Sequence, residues 1–284
     1  MNGKIRWTVG LAAIPAMASM ACESTTAGGV EMKKDAAAVA PCGADGLIDD
    51  CEDQNNQVIV HKGRSGYWYT YADEAGSTVT PEAGSKGGTF VMAEGGANGS
   101  QYAARMTGTV GNAGTVYVGM GFSFTDPKDV YDASQYGGIK FYAKKGAGAG
   151  GIRIKIADGN TAPEGGRCQE CFNDFGANVE LTSAWTEYVL PFYLAKQESG
   201  WGDTFNQILP NALYGIQWQT NTPGASFDIW VDDVSFVGCD SVSEEPAGGD
   251  AAGVPAVEPP PAAEPPPATP ADPSAPEPAA VPVE

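Results

Sequence analysis

The stretch Ile152-Arg153-Ile154-Lys155-Ile156 alternates strictly between a β-branched apolar residue and a long base. Successive side chains on an extended strand point to opposite faces. The three isoleucines therefore share one face, and Arg153 and Lys155 share the other. A period of two over five residues is the mark of a strand with one buried side. Similar runs lie on both sides of it: Tyr67 to Tyr71, Thr89 to Met92, Gln101 to Thr107, Thr115 to Phe124, Gly138 to Ala143, Gly151 to Ala157, Trp185 to Pro191, Leu213 to Gln219 and Phe227 to Val237. Gly, Asn, Asp and Pro separate them at intervals of about 8 to 12 residues, the spacing of a sandwich or barrel. No segment longer than a turn or two carries helical periodicity with caps. The fold class is all-β, an antiparallel two-sheet β-sandwich.

Alternation also assigns faces elsewhere. In Ile216-Gln217-Trp218-Gln219 the two glutamines face one way and Trp218 joins Ile216 in the core. Tyr67, Tyr69 and Tyr71 share a face with Trp68 opposed. In the run from Phe227 to Asp232, Trp230 falls on the carboxylate side, yet its bulk and that of Trp185 assign both mainly to core packing.

The flanks of this block differ in composition. Lys4 and Arg6 precede an uncharged apolar stretch from Trp7 to Met20, too short to span a bilayer comfortably. Residues 1–21 read as a signal peptide and are excluded from the fold. Ser19-Met20-Ala21-Cys22 looks like a lipobox, with Ser19 where Leu is usual, and makes Cys22 the expected lipidation site. The protein is then exported and anchored by lipid to the bacterial envelope, with the outer membrane the expected site, or else simply secreted. Residues 22–41 form a tether. Residues 241–284 are rich in Pro, Ala and Glu and carry no Lys, Arg or aromatic residue. Such a tail cannot bury enough apolar surface to offset its chain entropy, so it is expected to be disordered. The sandwich domain is assigned to 42–240.

The formal net charge is −19, and loss of the two bases in residues 1–21 takes it to about −21. Self-repulsion with a polyanion argues against nucleic acid and against docking on anionic lipid, so the membrane is reached only through the lipid anchor. Six cysteines occur. Lipid on Cys22 leaves five, so one is free or pairs between chains. Cys168-Gln169-Glu170-Cys171 lies in a polar, Gly-rich stretch without a βαβ context, and only His61 is available as a histidine ligand for zinc. A local Cys168–Cys171 disulfide is the better reading. Either Cys42 or Cys51 should meet Cys239 if the chain ends come together, and Cys42 is preferred because Cys51 sits in a strand-like run that favours a buried thiol.

Leu47-Ile48-Asp49-Asp50-Cys51-Glu52-Asp53 resembles the opening strand of galactose-binding-like jelly rolls, with Cys51 where Phe is usual. The run from Phe227 to Phe236 resembles their closing strand. Between them, Tyr102-Ala103-Ala104-Arg105, the run from Tyr117 to Phe122, and that from Gly138 to Lys144 are similar in succession to the core strands of family 11 carbohydrate-binding modules. The resemblance covers roughly Gly46 to Cys239. It implies a jelly roll with a face that holds a glycan chain, β-glucan being the suggested class, and often a structural calcium. Asp158 to Gly176, with its CxxC, is no part of that general pattern.

Asp49/Asp50 and Asp232/Asp233 come from strands that the resemblance places side by side. Asp50, Glu52 and Asp233 are the candidate ligands for a structural Ca²⁺, which takes hard oxygen donors. Neither acid doublet makes a glycosidase pair by itself, because neighbours on a strand point to opposite faces; a distant pair such as Asp158 with Glu164 stays open. His61 reads as a rim residue. Sugar C–H faces lie well on aromatic planes, and amides and bases hydrogen-bond the hydroxyls. Tyr67, Tyr69, Tyr71, Arg153, Lys155, Gln217 and Gln219 are therefore the expected carbohydrate-binding residues. The leading expectation is a non-catalytic polysaccharide-binding lipoprotein. A structural or protein-interaction lipoprotein is the alternative, followed by a cellulase-type hydrolase or an accessory module of one.

Overall fold

The computed structural model describes residues 40–84 and 90–239. The signal peptide, the lipidation site Cys22, all of the tether before Ala40 and the tail from 241 to 284 lie outside the described residues. After a four-residue helix, Gly43–Gly46, twelve strands follow: β1 Leu47–Asp49, β2 Trp68–Ala72, β3 Thr78–Thr80, β4 Ala93–Glu94, β5 Tyr102–Thr109, β6 Val118–Ser123, β7 Gly138–Lys145, β8 Gly151–Asp158, β9 Phe175–Glu180, β10 Thr186–Pro191, β11 Leu213–Thr220 and β12 Ser226–Val237. They form two antiparallel sheets. One runs β10-β7-β12-β5-β3, with β1 added on β12 and β4 on β5; the other runs β2-β6-β11-β8-β9. From β5 onward the chain repeatedly crosses between the layers, as a jelly roll does. The expected all-β sandwich is the observed fold.

The core lies where the two inner faces meet. Trp68, Phe122, Ile216, Ile154 and Ile156 come from the five-stranded sheet, and Met106, Phe141, Ile229 and Val231 from the other; all are buried. Trp68 stacks on Trp218 at 5.6 Å between ring centroids, and Phe141 meets Trp218 edge-on at 5.4 Å. Such pairs contribute about 0.5–1.5 kcal/mol each beyond the area they bury.

The cysteine readings agree with the structure. Cys42 is bonded to Cys239, with Cα atoms 5.5 Å apart, and Cys168 to Cys171. Cys51 is free and buried. It is not inside a strand, however: β1 stops at Asp49, and Cys51 turns with φ +61°. The run from Thr89 to Met92 is not a strand either. Phe90 and Met92 are buried and Val91 is exposed, so the alternation is present, but among the described residues strand pairing starts only at Ala93. Thr89 itself lies outside the described residues.

Candidate functional site

Register on the five-stranded sheet decides which side chains meet. Tyr69 pairs with Gly121, Gly121 with Gln217, Gln217 with Lys155 and Lys155 with Gly176. One row above, Tyr71 pairs with Gly119, Gly119 with Gln219, Gln219 with Arg153 and Arg153 with Asn178. Because the inward rows carry Trp68, Phe122, Ile216, Trp218 and Ile154, these two rows face outward. Tyr67 takes the next outward place on the β2 side, its carbonyl accepting from the Ser123 amide. All seven residues expected to bind sugar thus stand on one face of one sheet.

The two glycines of β6 shape this face. A Cβ at Gly119 would sit 2.5 Å from both Cζ and Oη of Tyr71, so the phenol end of Tyr71 lies over that glycine. A Cβ at Gly121 would meet Gln217 Cγ at 2.8 Å. With β6 bare, the tyrosines reach across it: Gln217 Nε2 donates to the Tyr69 hydroxyl at 2.9 Å, and the Tyr71 hydroxyl donates to Gln219 Oε1 at 3.3 Å. The rings are half-exposed but their hydroxyl ends are shielded, and desolvation pushes the Tyr69 phenol up to about 12 and Tyr71 well above its ordinary value. Both stay protonated and serve as hydrogen-bonding groups at any physiological pH. Tyr117, exposed at the entry to β6, continues the ring series at 6.3 Å from Tyr71.

The bases behave differently from the expectation that they stand open. Arg153 is 8% exposed and Lys155 5%. Lys155 Nζ lies 3.3 Å from Asp174 Oδ2 and donates to Gln219 Oε1 at 3.4 Å. Arg153 donates to the carbonyls of Asp174 at 3.0 Å and Lys196 at 2.7 Å, and to Asn178 Oδ1 at 3.3 Å. The cause is the Asp158–Gly176 excursion. Ala162 from it packs with Ala157 and Tyr214, covering the lower end of the face. Asp158 is fully buried and holds that excursion by accepting from the Asn160, Thr161 and Leu209 amides, while Glu164 pairs with Lys128 at 2.8 Å. Asp158 is therefore a loop anchor and has no open side to offer a substrate.

The upper end of the face opens into a pocket of about 340 Å³. Arg153 lines it, Asn178 and Glu180 come from β9, Glu198 from the β10–β11 connection, and Asn221 and Thr222 from the β11–β12 turn. Sequence periodicity pointed to Arg153 alone among these. The others sit on a strand end or in loops, where no period marks them.

The three acids expected to hold calcium, Asp50, Glu52 and Asp233, lie beside β1 and on β12. Glu52 Oε1 accepts from the Ser100 hydroxyl and from the Gln101 and Tyr102 amides, each at 2.8 Å, so it caps a turn. Asp233 has φ +49°, and burial followed by the Asp50 and Glu52 charges raises its pKa against the pull of Lys140. Among the described residues no three His, Cys, Asp or Glu side chains are gathered in the manner of a metal centre. Asp50 and Glu52 lie close enough to Asp233 for their charges to act on it.

The outer face of the seven-stranded sheet carries another aromatic group. Trp230 pairs with Lys144 on one side and Arg105 on the other. Lys144 Nζ lies 4.5 Å from the Trp185 ring and 4.6 Å from Trp230, and the Arg105 guanidinium 4.4 Å from Trp230. Trp185 and Trp230 are thus half-exposed outer residues, not core. Their own cations cover them, which compensates for leaving indole out of the interior.

No family model matches the chain, and no curated protein does. Among solved structures it is similar to a family 11 carbohydrate-binding module from Clostridium thermocellum, described in complex with a β-1,3-1,4-mixed-linked tetrasaccharide. Identity is 18%, covering 68% of this chain and 95% of that one, with a TM-score of 0.47. It is also similar to the family 30 module of a cellulosomal cellulase of Clostridium thermocellum, at 15% identity over 61% of this chain and 92% of that one, with a TM-score of 0.42. The likeness is one of strand layout.

Proposed function

We propose that the sandwich is a non-catalytic carbohydrate-binding domain whose ligand lies along the row Tyr71–Gly119–Gln219 and enters the pocket beyond Arg153. The observation that carries this reading is the adjacency of half-exposed tyrosines, two glutamines and a polar pocket on one outer face. Rings supply C–H stacking, and the amides and carboxylates supply hydroxyl partners, with little electrostatic attraction needed. β-Glucan is the first polysaccharide to try, because the sequence resemblance suggests it. Affinity electrophoresis of the full chain through gels containing soluble glucans tests the reading. Retardation by at least one neutral polysaccharide is expected, and Tyr71→Ala with Gln219→Ala should relieve it. Unchanged mobility on every glycan defeats the proposal.

One observation favours a second reading. Glu180 and Glu198 line the same pocket, and two carboxyls across a cleft are what glycoside hydrolysis needs. Glu198 Oε2 already accepts the Trp201 indole N–H at 3.2 Å, and Glu180 lies at the exposed end of β9. Release of reducing sugar by the purified chain, abolished by Glu180→Gln, would favour hydrolysis over binding.

Export and lipid anchoring at Cys22 complete the proposal. Two disulfides suit an oxidising compartment. A Cys22→Ala precursor should lose its detergent-soluble, lipid-labelled form and be recovered in soluble extracts; labelling that persists in this variant argues against the anchor.

A further inference from the structure

The pocket wall continues into a loop that no periodic pattern marks. Trp201 stands at its tip, 45% exposed, between Gly200 at φ +90° and Gly202 at φ +70°. An exposed indole on a mobile loop would be unremarkable, but this tip is tied down from several sides. Asn173, 1% exposed, donates Nδ2 to the carbonyls of Glu198 at 2.9 Å and Trp201 at 2.7 Å, and its Oδ1 accepts from the Glu198 amide at 3.0 Å. Gly202 is required there, since a Cβ would lie 2.7 Å from Asn173 Cβ. Gln197 Nε2 donates to the carbonyls of Asn173 at 2.7 Å and Asp203 at 2.8 Å, and its Oε1 accepts from the Phe205 amide at 2.6 Å. Asp203 Oδ2 in turn accepts from the Gln169 and Glu170 amides, inside the Cys168–Cys171 hairpin.

We infer that this loop is a built subsite, in which Trp201 is a stacking platform for a sugar ring at the mouth of the pocket and Glu198 orients it. The inference rests on the carbohydrate-binding reading and deepens it by naming a residue and a ligand class. Glu198 lines the pocket and accepts the Trp201 indole N–H, so the ring edge is fixed within one hydrogen bond of the pocket wall. Holding an exposed aromatic rigid before the ligand arrives removes an ordering cost from binding. The charge balance selects the ligand. Glu180 and Glu198 present carboxylates, while Arg153, the pocket's cation, has its guanidinium hydrogen-bonded to Asp174 O, Lys196 O and Asn178 Oδ1. Lys145 Nζ lies 3.9 Å from Glu180 and the Arg153 charge faces Glu198, so the bases nearby are already matched by these two acids. A uronate would find no unmatched base among them, so the subsite takes a neutral, hydroxyl-rich glycan.

Calorimetric titration of the full chain with oligosaccharides of a soluble neutral β-glucan, and separately with oligogalacturonate, tests this. Trp201→Ala should weaken neutral-glycan binding roughly tenfold or more, the loss of a central aromatic anchor. Trp201→Phe should retain most of the affinity. The indole emission change on binding should be present in wild type and reduced in Trp201→Phe. Because Trp201 is exposed, both variants should keep the wild-type melting temperature. Wild-type affinity in Trp201→Ala, alongside loss in Tyr71→Ala, would overturn the subsite and leave the carbohydrate reading standing. Equal affinity for the galacturonate would overturn the neutral-ligand assignment. Wild type that binds no glycan would remove both.

Discussion

Asp49 is a carboxylate on the first strand, buried where the first and last strands meet, and no cation pairs with it among the described residues. Its Oδ2 accepts the Trp68 indole N–H at 2.6 Å and its Oδ1 the Cys51 amide at 2.9 Å. Those two bonds favour the charged form, yet burial outweighs them and the Asp53 and Asp50 charges add to it, raising the pKa from 3.8 to about 7. Asp232, the other buried acid on the β1–β12 side, is raised to about 6, again by burial first. The consequence for stability has a definite sign. Between the unfolded value of 3.8 and the folded value of about 7, the folded protein keeps a proton that the unfolded chain has released. Stability attributable to Asp49 is therefore full below that window and falls as pH rises through it, by an amount on the order of a few kcal/mol. Glu52 and Asp73 are shifted the other way by hydrogen bonds from Ser77, Ser100 and nearby amides, and their contribution is lost on acidification toward and below their unfolded values of 4.5 and 3.8. Urea unfolding at about pH 5 and about pH 8 should show wild type weaker at the higher pH, with the difference reduced in Asp49→Asn. An Asp49→Asn protein with the same pH slope as wild type would mean Asp49 does not carry the effect.

At the scale of strands and loops, alternation is a strong guide to faces and a poor one to cover. Ile152-Arg153-Ile154-Lys155-Ile156 and Gln217-Trp218-Gln219 have their faces written in the period, and the structure places them so. That Arg153 and Lys155 are nonetheless sealed depends on the Asp158–Gly176 excursion folding back, and no residue inside the strand records that. Strand β9 escapes notice for a related reason: Phe175, Gly176, Ala177 and Asn178 mix small and polar residues with a single large apolar one, too weak a pattern to separate from loop. Trp230 shows the reverse case, where the period placed it outside and its bulk argued for the core. Three cation–π contacts from Lys144 and Arg105 provide the cover that the interior would have given. The Asn173 clamp is likewise invisible to any pattern, because its partners are backbone groups 25 to 28 residues away. Its role is open to test. Asn173→Ala leaves two carbonyls and one amide of the tip without their partner, each net bond contributing about 1 kcal/mol. Hydrogen exchange at the Glu198 amide should quicken strongly, while exchange in β8 and β11 stays near wild type. Unchanged protection at Glu198 would show that the tip is held by something else.

For the whole molecule, the two layers divide the work. The described chain enters and leaves through the seven-stranded sheet: Pro41 bridges to Val237, β1 lies on β12, and Cys42 is bonded to Cys239. The proposed ligand face belongs to the other sheet, so the proposed N-terminal anchor and binding at that face would not compete for the same surface. The Cys42–Cys239 bond closes a loop spanning 197 residues, nearly the entire domain. In the chain-entropy account such a long closure stabilises the fold by restricting the unfolded chain, by about 3–5 kcal/mol, and for a domain of this size each kcal/mol moves the melting temperature by about 2–4 °C. Replacing both cysteines with serine should then lower the melting temperature by on the order of 10 °C. The Cys168–Cys171 bond closes a loop only three residues apart, so its removal constrains the unfolded chain far less and should act locally, on the hairpin that Asp203 grips. Scanning calorimetry of the two double-serine variants separates the effects, because the long closure should dominate the melting temperature while glycan affinity below the transition stays with the short one. Equal melting temperatures for wild type and Cys42→Ser/Cys239→Ser would show that β1–β12 pairing closes the domain without the covalent link.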